Sequence, residues 1–185
     1  MGDLEKYMHG KERLPLLIDC ALVHYQFETI HPFLDGNGRM GRLLITFYLY
    51  KEKILSRPLL YISEFFKTHR NDYYDKLNSY RFDAGVENWL KFFLEGVRTV
   101  SEEAVITAQK ITKLREQHIQ TISQFGRNAD TALKLLNKLY SFPAVDASLV
   151  GKITAISSKA NINALIKKFV KAGILSEITG KERNR

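Results

Sequence analysis

The most informative segment of the chain reads His31-Pro32-Phe33-Leu34-Asp35-Gly36-Asn37-Gly38-Arg39-Met40-Gly41-Arg42. Two glycines on either side of an asparagine allow a tight turn, and the residues after it fit the start of a helix near Gly38. Taken alone, Gly-Asn-Gly is more often an ordinary turn. At a positive helix N-terminus, however, converging backbone N–H groups can bind an anion, and phosphate is the natural occupant.

The charged side chains of the same segment strengthen this interpretation. Arg39 and Arg42 share one face of the first helical turn, and guanidinium donors suit phosphoryl oxygens. Asp35 is a hard oxygen ligand of the kind that Mg²⁺ uses beside substrate phosphates. His31 is of the residue type that titrates near neutral pH, so it could take a proton from an incoming hydroxyl. Each residue alone is more often a cap or a surface charge, but a base, a metal ligand and an anion site within twelve residues rarely coincide by chance.

Helices are predicted on both sides of the segment, because apolar residues recur every three or four positions and strand-like alternation is scarce. The first of them should be buried on more than one side, and Asn71 or Asp72 should cap the fourth. The predicted helices span residues 14–30, 38–51, 63–68, 73–81, 87–125 with one possible break, 131–141, 146–152 and 161–171. A strand is predicted over residues 173–181. The fold class is therefore mainly α.

The composition excludes several classes of protein. The chain has 185 residues, 45% hydrophobic and 26% charged, which is typical of a folded globular protein and not of a disordered one. Its single cysteine, Cys20, excludes an internal disulfide and a cysteine-based metal site. No apolar run approaches the roughly 20 residues of a membrane span. The N-terminus is acidic where a secretory signal would be basic. We therefore expect a cytoplasmic protein without a membrane partner.

The positive charge is concentrated near the C-terminus. Residues 1–125 carry 17 Lys and Arg against 16 Asp and Glu, whereas residues 126–185 carry 11 against 4. A Gly and an Asn in residues 124–128 mark a linker where the charge balance changes. The sequence thus predicts domains at 1–124 and 125–185. The basic second domain could bind nucleic acid, or it could simply carry a solvated basic face.

The segment resembles the signature of the Fic domain, H-P-F-x-[DE]-G-N-G-R-x-x-R, and every specified position is matched. Similarity extends to residues 24–30, 57–63, 72–74 and 89–94, and covers about residues 3–114. The resemblance implies a helical Fic core that transfers AMP from ATP to a Ser, Thr or Tyr hydroxyl of a target protein, or of the chain itself, and releases pyrophosphate.

The resemblance also implies roles for individual residues. His31 would be the general base, Asp35 would bind Mg²⁺, and Phe33 would be buried under the loop. The remaining residues implied to bind ATP include Gly36, Asn37 and Gly38 at the phosphates, Arg39 at the transferring or leaving group and Arg42 at the γ-phosphate. Met40 and Gly41, between the two arginines, are also implied to belong to the ATP site. Tyr73 and Tyr74 match an aromatic pair that lines the nucleotide site in relatives, with Arg81 seven residues further on. The two tyrosines could equally be core packing.

Two other parts of related proteins are not found. Neither Thr99 to Glu103 nor Glu95-Gly96 completes the inhibitory pattern [ST]-x-x-x-E-[GN], so both are interpreted as surface helix. We expect an N-terminally shortened Fic domain without the inhibitory helix and the target-docking flap. Such a chain would be released from autoinhibition. Its partly uncovered core would favour a homo-oligomer.

The C-terminal residues resemble the winged helix-turn-helix domain that follows the Fic core in many bacterial members. Residues 156–161 would form the turn, and residues 161–172 the second helix with Lys167, Lys168 and Lys171. Lys152, Lys159 and Asn163 would be placed to contact DNA phosphates. The same domain could instead serve dimerisation or protein docking.

The sequence therefore favours a bacterial, cytoplasmic protein adenylyltransferase that uses ATP and Mg²⁺. The alternative is a nucleotide-sensing DNA-binding regulator or scaffold with little transferase activity. His31 and Asp35 favour catalysis, because a sensor needs no base. The unaltered Gly36-Asn37-Gly38 favours AMP transfer over a kinase-like branch of the family.

Overall fold

The computed structural model describes residues 1–10, 14–80 and 85–178. Throughout those ranges all regular structure is helical, with no strand. The helices are α1 (Gly2–His9), α2 (Leu16–Ile30), α3 (Asn37–Lys51), α4 (Ile62–Thr68), α5 (Arg70–Ser79), α6 (Gly85–Ser123), a 3-10 turn (Gly126–Asn128), α7 (Ala129–Leu139), α8 (Ala147–Thr154) and α9 (Lys159–Lys171). Among them, none combines the length and the apolarity that crossing a bilayer requires.

The chain forms two compact units, Met1–Ile106 and Thr107–Arg185. Helix α6 contributes to both units, since Trp89 and Phe93 belong to the first hydrophobic core and Ile122 to the second. The division between the compact units thus lies inside a helix, and the domain limit after residue 124 stays a prediction.

Helix α2 is the centre of the first unit and packs along α3. As predicted, it is buried on more than one side, with Cys20, Ala21, Val23, Tyr25 and Phe27 all in the core. Burial of a large side chain of this kind contributes about 1.5–3 kcal/mol. A helix held on several sides gives a rigid support to whatever follows its C-terminus.

Polar anchors fix the other elements of the first unit to α2. The indole N–H of Trp89 donates to the Ala21 carbonyl at 3.0 Å. The hydroxyls of Tyr7 and Tyr48 both donate to the buried carboxylate of Asp19. Helices α1, α3 and α6 are therefore tied to α2 by hydrogen bonds inside the apolar core, where each bond also satisfies a buried polar group.

The predicted cap of the fourth helix is wrong. Helix α5 begins at Arg70, so Asn71 and Asp72 lie in its first turn. The reason is that His69 serves two helices at once: its N–H donates to Phe65 O at the end of α4, and its carbonyl accepts from Tyr73 N–H at the start of α5. Two other expectations also differ. Helix α6 is unbroken, and residues 173–178 form no strand, while residues 179–181 and Arg81 lie outside the described residues.

The second unit is built from the end of α6 and helices α7, α8 and α9. Its core contains Leu135, Leu136, Val150, Leu165 and Phe169. Helix α8 packs against both α7 and α9. It is joined to α9 by residues 155–158, so two short helices follow each other across a four-residue turn.

Candidate active site

His31 occupies the C-cap of α2 in a left-handed conformation, with φ of 50° and ψ of 58°. This conformation is uncommon for residues other than glycine, and it turns the chain sharply out of the helix. The ring Nδ1 lies 3.3 Å from the Glu28 carbonyl oxygen, and the side chain is exposed. Because a carbonyl only accepts, Nδ1 carries the proton and Nε2 is left as the basic nitrogen. The exposed imidazole is thus oriented to accept a proton from a substrate that approaches from the solvent.

Asn37 closes the loop that follows His31. Its amide Nδ2 donates to Phe33 O at 2.6 Å, and its Oδ1 accepts from Phe33 N–H at 2.8 Å. The side chain is only 2% exposed, and the preceding Gly36 takes a φ of 82° that glycine adopts without strain. The Asn37 amide therefore shapes the loop, and a bound anion would meet the first N–H groups of α3, which have no intrahelical partner.

The predicted burial of Phe33 is wrong. Its side chain is 49% exposed, and its ring lies 6.4 Å from that of Phe27, measured between centroids. The reason is that the interior position at the loop is taken by Phe27 and by the Asn37 amide, both of which are buried. Phe33 covers Phe27 at the surface instead.

Asp35 and Arg39 are the most accessible charged groups of the loop. Asp35 Oδ1 accepts from Gly36 N–H at 2.6 Å, and its Oδ2 lies 3.5 Å from Arg39 Nη2. The side chains are 94% and 78% exposed, and an exposed pair of this kind contributes at most about 1 kcal/mol. Asp35 and Arg39 can therefore give up this contact and bind a ligand instead at little cost in free energy.

Asp35 is the carboxylate that the loop itself offers to a metal ion. The described residues contain no group of three or more His, Cys, Asp or Glu that could hold a metal ion by themselves. Asp35 therefore fits Mg²⁺ only in the way Mg²⁺ commonly binds beside nucleotides, with one carboxylate, water and substrate phosphates completing the octahedron.

Gly41 and Met40 differ in their surroundings. Met40 is 45% exposed. Gly41 is buried, and a Cβ there would overlap Glu28 Oε1 and lie 3.2 Å from His24 Cε1. Gly41 thus allows α2 and α3 to approach closely. Gly38 is less restricted, since its Cβ would meet only the Arg42 guanidinium, at 3.1 Å.

A cavity of about 410 Å³ opens beside Arg42. Its lining combines three cationic side chains, three tyrosines and a few other residues: Arg42, Tyr61, Ser63, Glu64, Phe66, Lys67, Arg70, Tyr73 and Tyr74. The structure thus brings Arg42 together with both tyrosines singled out in the sequence. His31 and Asp35 lie in the preceding loop and do not line this cavity.

The two tyrosines have different environments. Tyr73 is 3% exposed and stacks on Phe66 with 4.6 Å between ring centroids. Burial raises the pKa of its hydroxyl, so the group stays protonated at neutral pH. Tyr74 is 49% exposed and the Arg70 guanidinium lies 5.8 Å above its ring. Tyr73 is therefore both core and cavity wall, whereas Tyr74 presents an open aromatic face.

His24 and Glu28 are polar residues of α2 that received no role from the sequence. His24 is fully buried between Gly41 and Tyr73, and burial together with the Arg42 charge lowers its pKa to about 4. Among the described residues the buried Oε1 of Glu28 has no hydrogen-bond partner, and burial raises the pKa of Glu28 while Arg42 and His31 lower it. Helical spacing offered a signal, because positions 24 and 28 lie four residues apart on one face of α2, shortly before His31.

Lys67 and Arg70 were also missed. Lys67 lies in the predicted short helix and Arg70 just after it, and Arg70 precedes Tyr74 by four residues, which is the spacing of facing side chains on a helix. Among the described lining residues, they and Arg42 supply three positive charges, and Glu64 supplies one carboxylate. The cavity is suited to a polyanion with a planar group.

A second cavity, of about 1070 Å³, lies in the second unit along α8, the following turn and α9. It is lined by Lys152, Lys159 and Lys167 and by polar residues that include Asn163. The described lining residues are lysines, small polar residues and apolar residues, which suits a groove that binds an anionic partner. Residues 147–176 contain five lysines and no Asp or Glu, which makes this part of the chain uniformly basic.

Comparison with known proteins shows which family and which fold the chain resembles. Residues 1–49 match the Fic/DOC family model. A "Protein adenylyltransferase Fic" of Aedes aegypti is 44% identical over 80 residues, which are 42% of this chain and 15% of that protein. A protein of the same name from Nematostella vectensis is 36% identical over 85 residues, covering 41% of this chain and 18% of that protein. The chain thus matches less than a fifth of the length of these two relatives.

Among solved structures, a Fic family protein from Desulfovibrio desulfuricans G20 aligns with 91% of this chain and 46% of its own. The TM-score is 0.53 and the sequence identity is 24%, which establishes a shared fold. The chain therefore has the helical fold of a Fic family protein, and the match of residues 1–49 supports a Fic/DOC family domain in its N-terminal part.

Proposed function

We propose that the chain is a protein adenylyltransferase that transfers AMP from ATP to the hydroxyl of a Ser, Thr or Tyr on a target protein or on itself. The observation that carries the proposal is the orientation of His31, whose Nδ1 is directed to the Glu28 carbonyl and whose Nε2 is left as an exposed base next to the anion-binding loop. The names of the Aedes and Nematostella relatives support the same activity.

In the proposed reaction, His31 Nε2 takes the proton of the target hydroxyl. The hydroxyl oxygen then forms a bond to the α-phosphorus of ATP, and the bond from that phosphorus to the bridging oxygen breaks, so that pyrophosphate leaves. The first N–H groups of α3 and the Arg39 guanidinium stabilise the negative charge that develops on the phosphoryl oxygens. Positioning and electrostatic stabilisation supply most of the rate acceleration in such transfers.

Asp35 and Arg42 hold the nucleotide in this scheme. Asp35 would supply the one protein carboxylate to Mg²⁺, which when bound neutralises phosphate charge. Arg42 extends from α3 into the cavity with Tyr73, Tyr74 and Arg70, where the nucleotide's remaining phosphate and its planar base can be held.

The test uses the purified chain with Mg²⁺ and ATP labelled on either the α- or the γ-phosphate, alone and with bacterial lysate. Label from the α-phosphate on protein, lost in His31→Ala, is the expected result. Label from the γ-phosphate would indicate a kinase instead. ATP binding without label transfer from either position would favour the alternative of a nucleotide sensor.

The basic groove of the second unit favours a second function, DNA binding. We propose that α8 and α9 are a helix-turn-helix of the bacterial, winged type, with Lys152, Lys159 and Lys167 at DNA phosphates. Support comes from five lysines without an acidic residue between positions 147 and 176. Fluorescence anisotropy with a labelled duplex tests this: Lys159→Gln with Lys167→Gln should weaken binding, and Lys91→Gln, whose lysine pairs with Glu87 in the first unit, should not.

We also propose that the protein works in the bacterial cytoplasm as a homo-oligomer. The support for self-association is an exposed apolar stripe on α3, formed by Met40, Leu43, Phe47 and Tyr50, each at least 44% exposed. Their spacing of three and four residues places them on one face of the helix. Light scattering should show a larger particle for the unaltered chain than for Phe47→Lys, and a monomer for both would contradict the proposal.

A further inference from the structure

His24 links two parts of the candidate site through both of its ring nitrogens. Nδ1 lies 3.0 Å from the carbonyl oxygen of Gly41, on α3, and Nε2 lies 2.9 Å from the hydroxyl of Tyr73, on α5. The residue is completely buried, and its ring stacks against Phe66 and Trp89 at 5.7 and 5.8 Å between centroids. The imidazole is therefore restrained by hydrogen bonds at both nitrogens and by two stacked aromatic rings.

The partners determine where the protons lie. Gly41 O can only accept, so Nδ1 carries the proton and Nε2 accepts from the Tyr73 hydroxyl. The Tyr73 proton is thereby directed into the core, and the oxygen lone pairs are left for donors on its other side. Arg42 lines the cavity together with Tyr73 and interacts electrostatically with that hydroxyl.

The arrangement also keeps a positive charge away from Arg42. Burial and the neighbouring guanidinium both favour the neutral imidazole. An aliphatic side chain would fill the same volume without polar atoms to satisfy, whereas histidine costs desolvation that only its two hydrogen bonds offset. A buried histidine with both nitrogens committed in this way is suited to fix the direction of a hydroxyl.

We propose that His24 is a positioning residue: it fixes the Tyr73 hydroxyl relative to helix α3, and through it the Arg42 guanidinium that binds the nucleotide. The inference rests on the proposed function for the identity of the ligand as ATP. The binding part of the test below uses no catalysis, so a failure of AMP transfer leaves it measurable.

The experiment compares the unaltered chain with four variants by calorimetric titration with a non-hydrolysable ATP analogue and Mg²⁺. His24→Asn keeps a donor for Gly41 O and loses the acceptor for Tyr73, while Tyr73→Phe removes the hydroxyl and keeps the ring. Each should weaken nucleotide affinity about five- to tenfold, the effect of one lost hydrogen bond. The double variant should be no weaker than the single variants, because all three break the same link. The matched control is His69→Asn, a histidine whose Nδ1 bonds Phe65 O outside the cavity.

Two further readouts separate positioning from a merely structural role. Where AMP transfer is measurable, the KM for ATP should rise in His24→Asn about as much as the affinity falls, with kcat changed less. In ¹⁵N spectra of the unaltered chain at pH 7, Nδ1 of His24 should be protonated and Nε2 should shift in Tyr73→Phe. Thermally destabilised variants that bind the analogue normally when folded, or a protonated Nε2, would overturn the proposal.

Discussion

Asn37 bonds one residue, Phe33, through both the Oδ1 and the Nδ2 of its amide. The bonds to Phe33 N–H and O make a closed ring across residues 33–37, so the loop keeps its shape through contacts within five residues. Buried polar groups need hydrogen-bond partners, and Asn37 finds them within its own loop. The geometry of the proposed phosphate site is therefore set locally, by the same residues that form the sequence signature.

Replacing Asn37 by Asp should break half of this ring. A carboxylate still accepts from Phe33 N–H, but it cannot donate to Phe33 O and repels it. We expect the free energy of unfolding to fall by about 1–3 kcal/mol and α-phosphate label transfer to fall at least tenfold. Chemical denaturation and the labelling assay measure the two effects. Asn71→Asp, at an exposed position of α5, is the control, and an equal loss there would contradict the argument.

His24 predicts a stability that depends on pH. Its pKa is about 4 in the folded chain and near 6.5 when unfolded, so between these values the unfolded chain binds more protons. Stability is fully present above about pH 6.5 and is lost as the pH falls to about 4, by up to about 3 kcal/mol.

Denaturant titrations at pH 7 and pH 4.5 check this prediction. The loss between the two should be smaller in His24→Asn than in the unaltered chain. Glu28, whose pKa is raised by burial, acts in the opposite direction, and Asp, Glu and the other histidines contribute equally to both chains. An identical loss in both chains would refute the assignment to His24.

The candidate site residues that the sequence indicates are those of a local motif. The spacing of His31, Asp35 and the glycines makes them recognisable, since all of them lie within twelve residues. His24, Glu28 and Arg70 were missed because their importance depends on which helices touch: Gly41 and Tyr73 are 17 and 49 residues from His24. No spacing rule within one helix reports such contacts.

At the scale of elements, the predicted helices agree with the structure to within about two residues at most ends, whereas α1 (Gly2–His9) was not predicted. The second helix, for example, ends at Ile30 as expected, and α8 begins after Asp146, whose Oδ1 accepts from Leu149 N–H at 2.7 Å. Apolar spacing and caps are local signals and explain this success. The start of α5 was misplaced because a single residue, His69, ends one helix and begins the next.

Gly96 gives a prediction in which helix propensity and packing oppose each other. Alanine in the interior of α6 should be favoured by about 1 kcal/mol on propensity alone. A Cβ there would lie 2.6 Å from Phe65 Cδ1, however, and the ring has Phe66, His69 and Phe92 around it. We expect Gly96→Ala to destabilise the chain by about 1–3 kcal/mol.

Thermal unfolding followed by circular dichroism measures the effect. Gly2→Ala is the matched control: the position is also helical, the new Cβ has no atom of the described residues within 4 Å, and the transition should stay unchanged or rise slightly. A stabilised Gly96→Ala would show that Phe65 moves at little cost.

For the molecule as a whole, the two units differ in charge as well as in core. The first 125 residues are nearly neutral and contain the proposed transfer site, while the last 60 carry a net charge of +7. The helical fold was predictable from composition and periodicity. The place where the compact units divide was not, because a continuous helix gives no signal where its contacts change from one core to another.

The salt dependence of DNA binding is the prediction that belongs to this scale. Three lysines at phosphates should give a slope of log K against log salt of roughly −3. Lys159→Gln with Lys167→Gln should reduce the steepness by about 2. Anisotropy titrations between 50 and 200 mM KCl measure both slopes. Affinity that does not change with salt, or an unaltered slope in the double variant, would exclude the lysine groove as the contact surface.

The close approach of α2 and α3 at Gly41 constrains how this protein can change over generations. A methyl group at position 41 would occupy the place of Glu28 Oε1, so the side chains at positions 41 and 28 compete for one small volume. A library randomised at both positions should keep alanine at 41 more often where residue 28 is shorter, such as aspartate. With glutamate at 28 the carboxylate has to rotate away first, so a substitution at 28 makes a later one at 41 easier along a lineage.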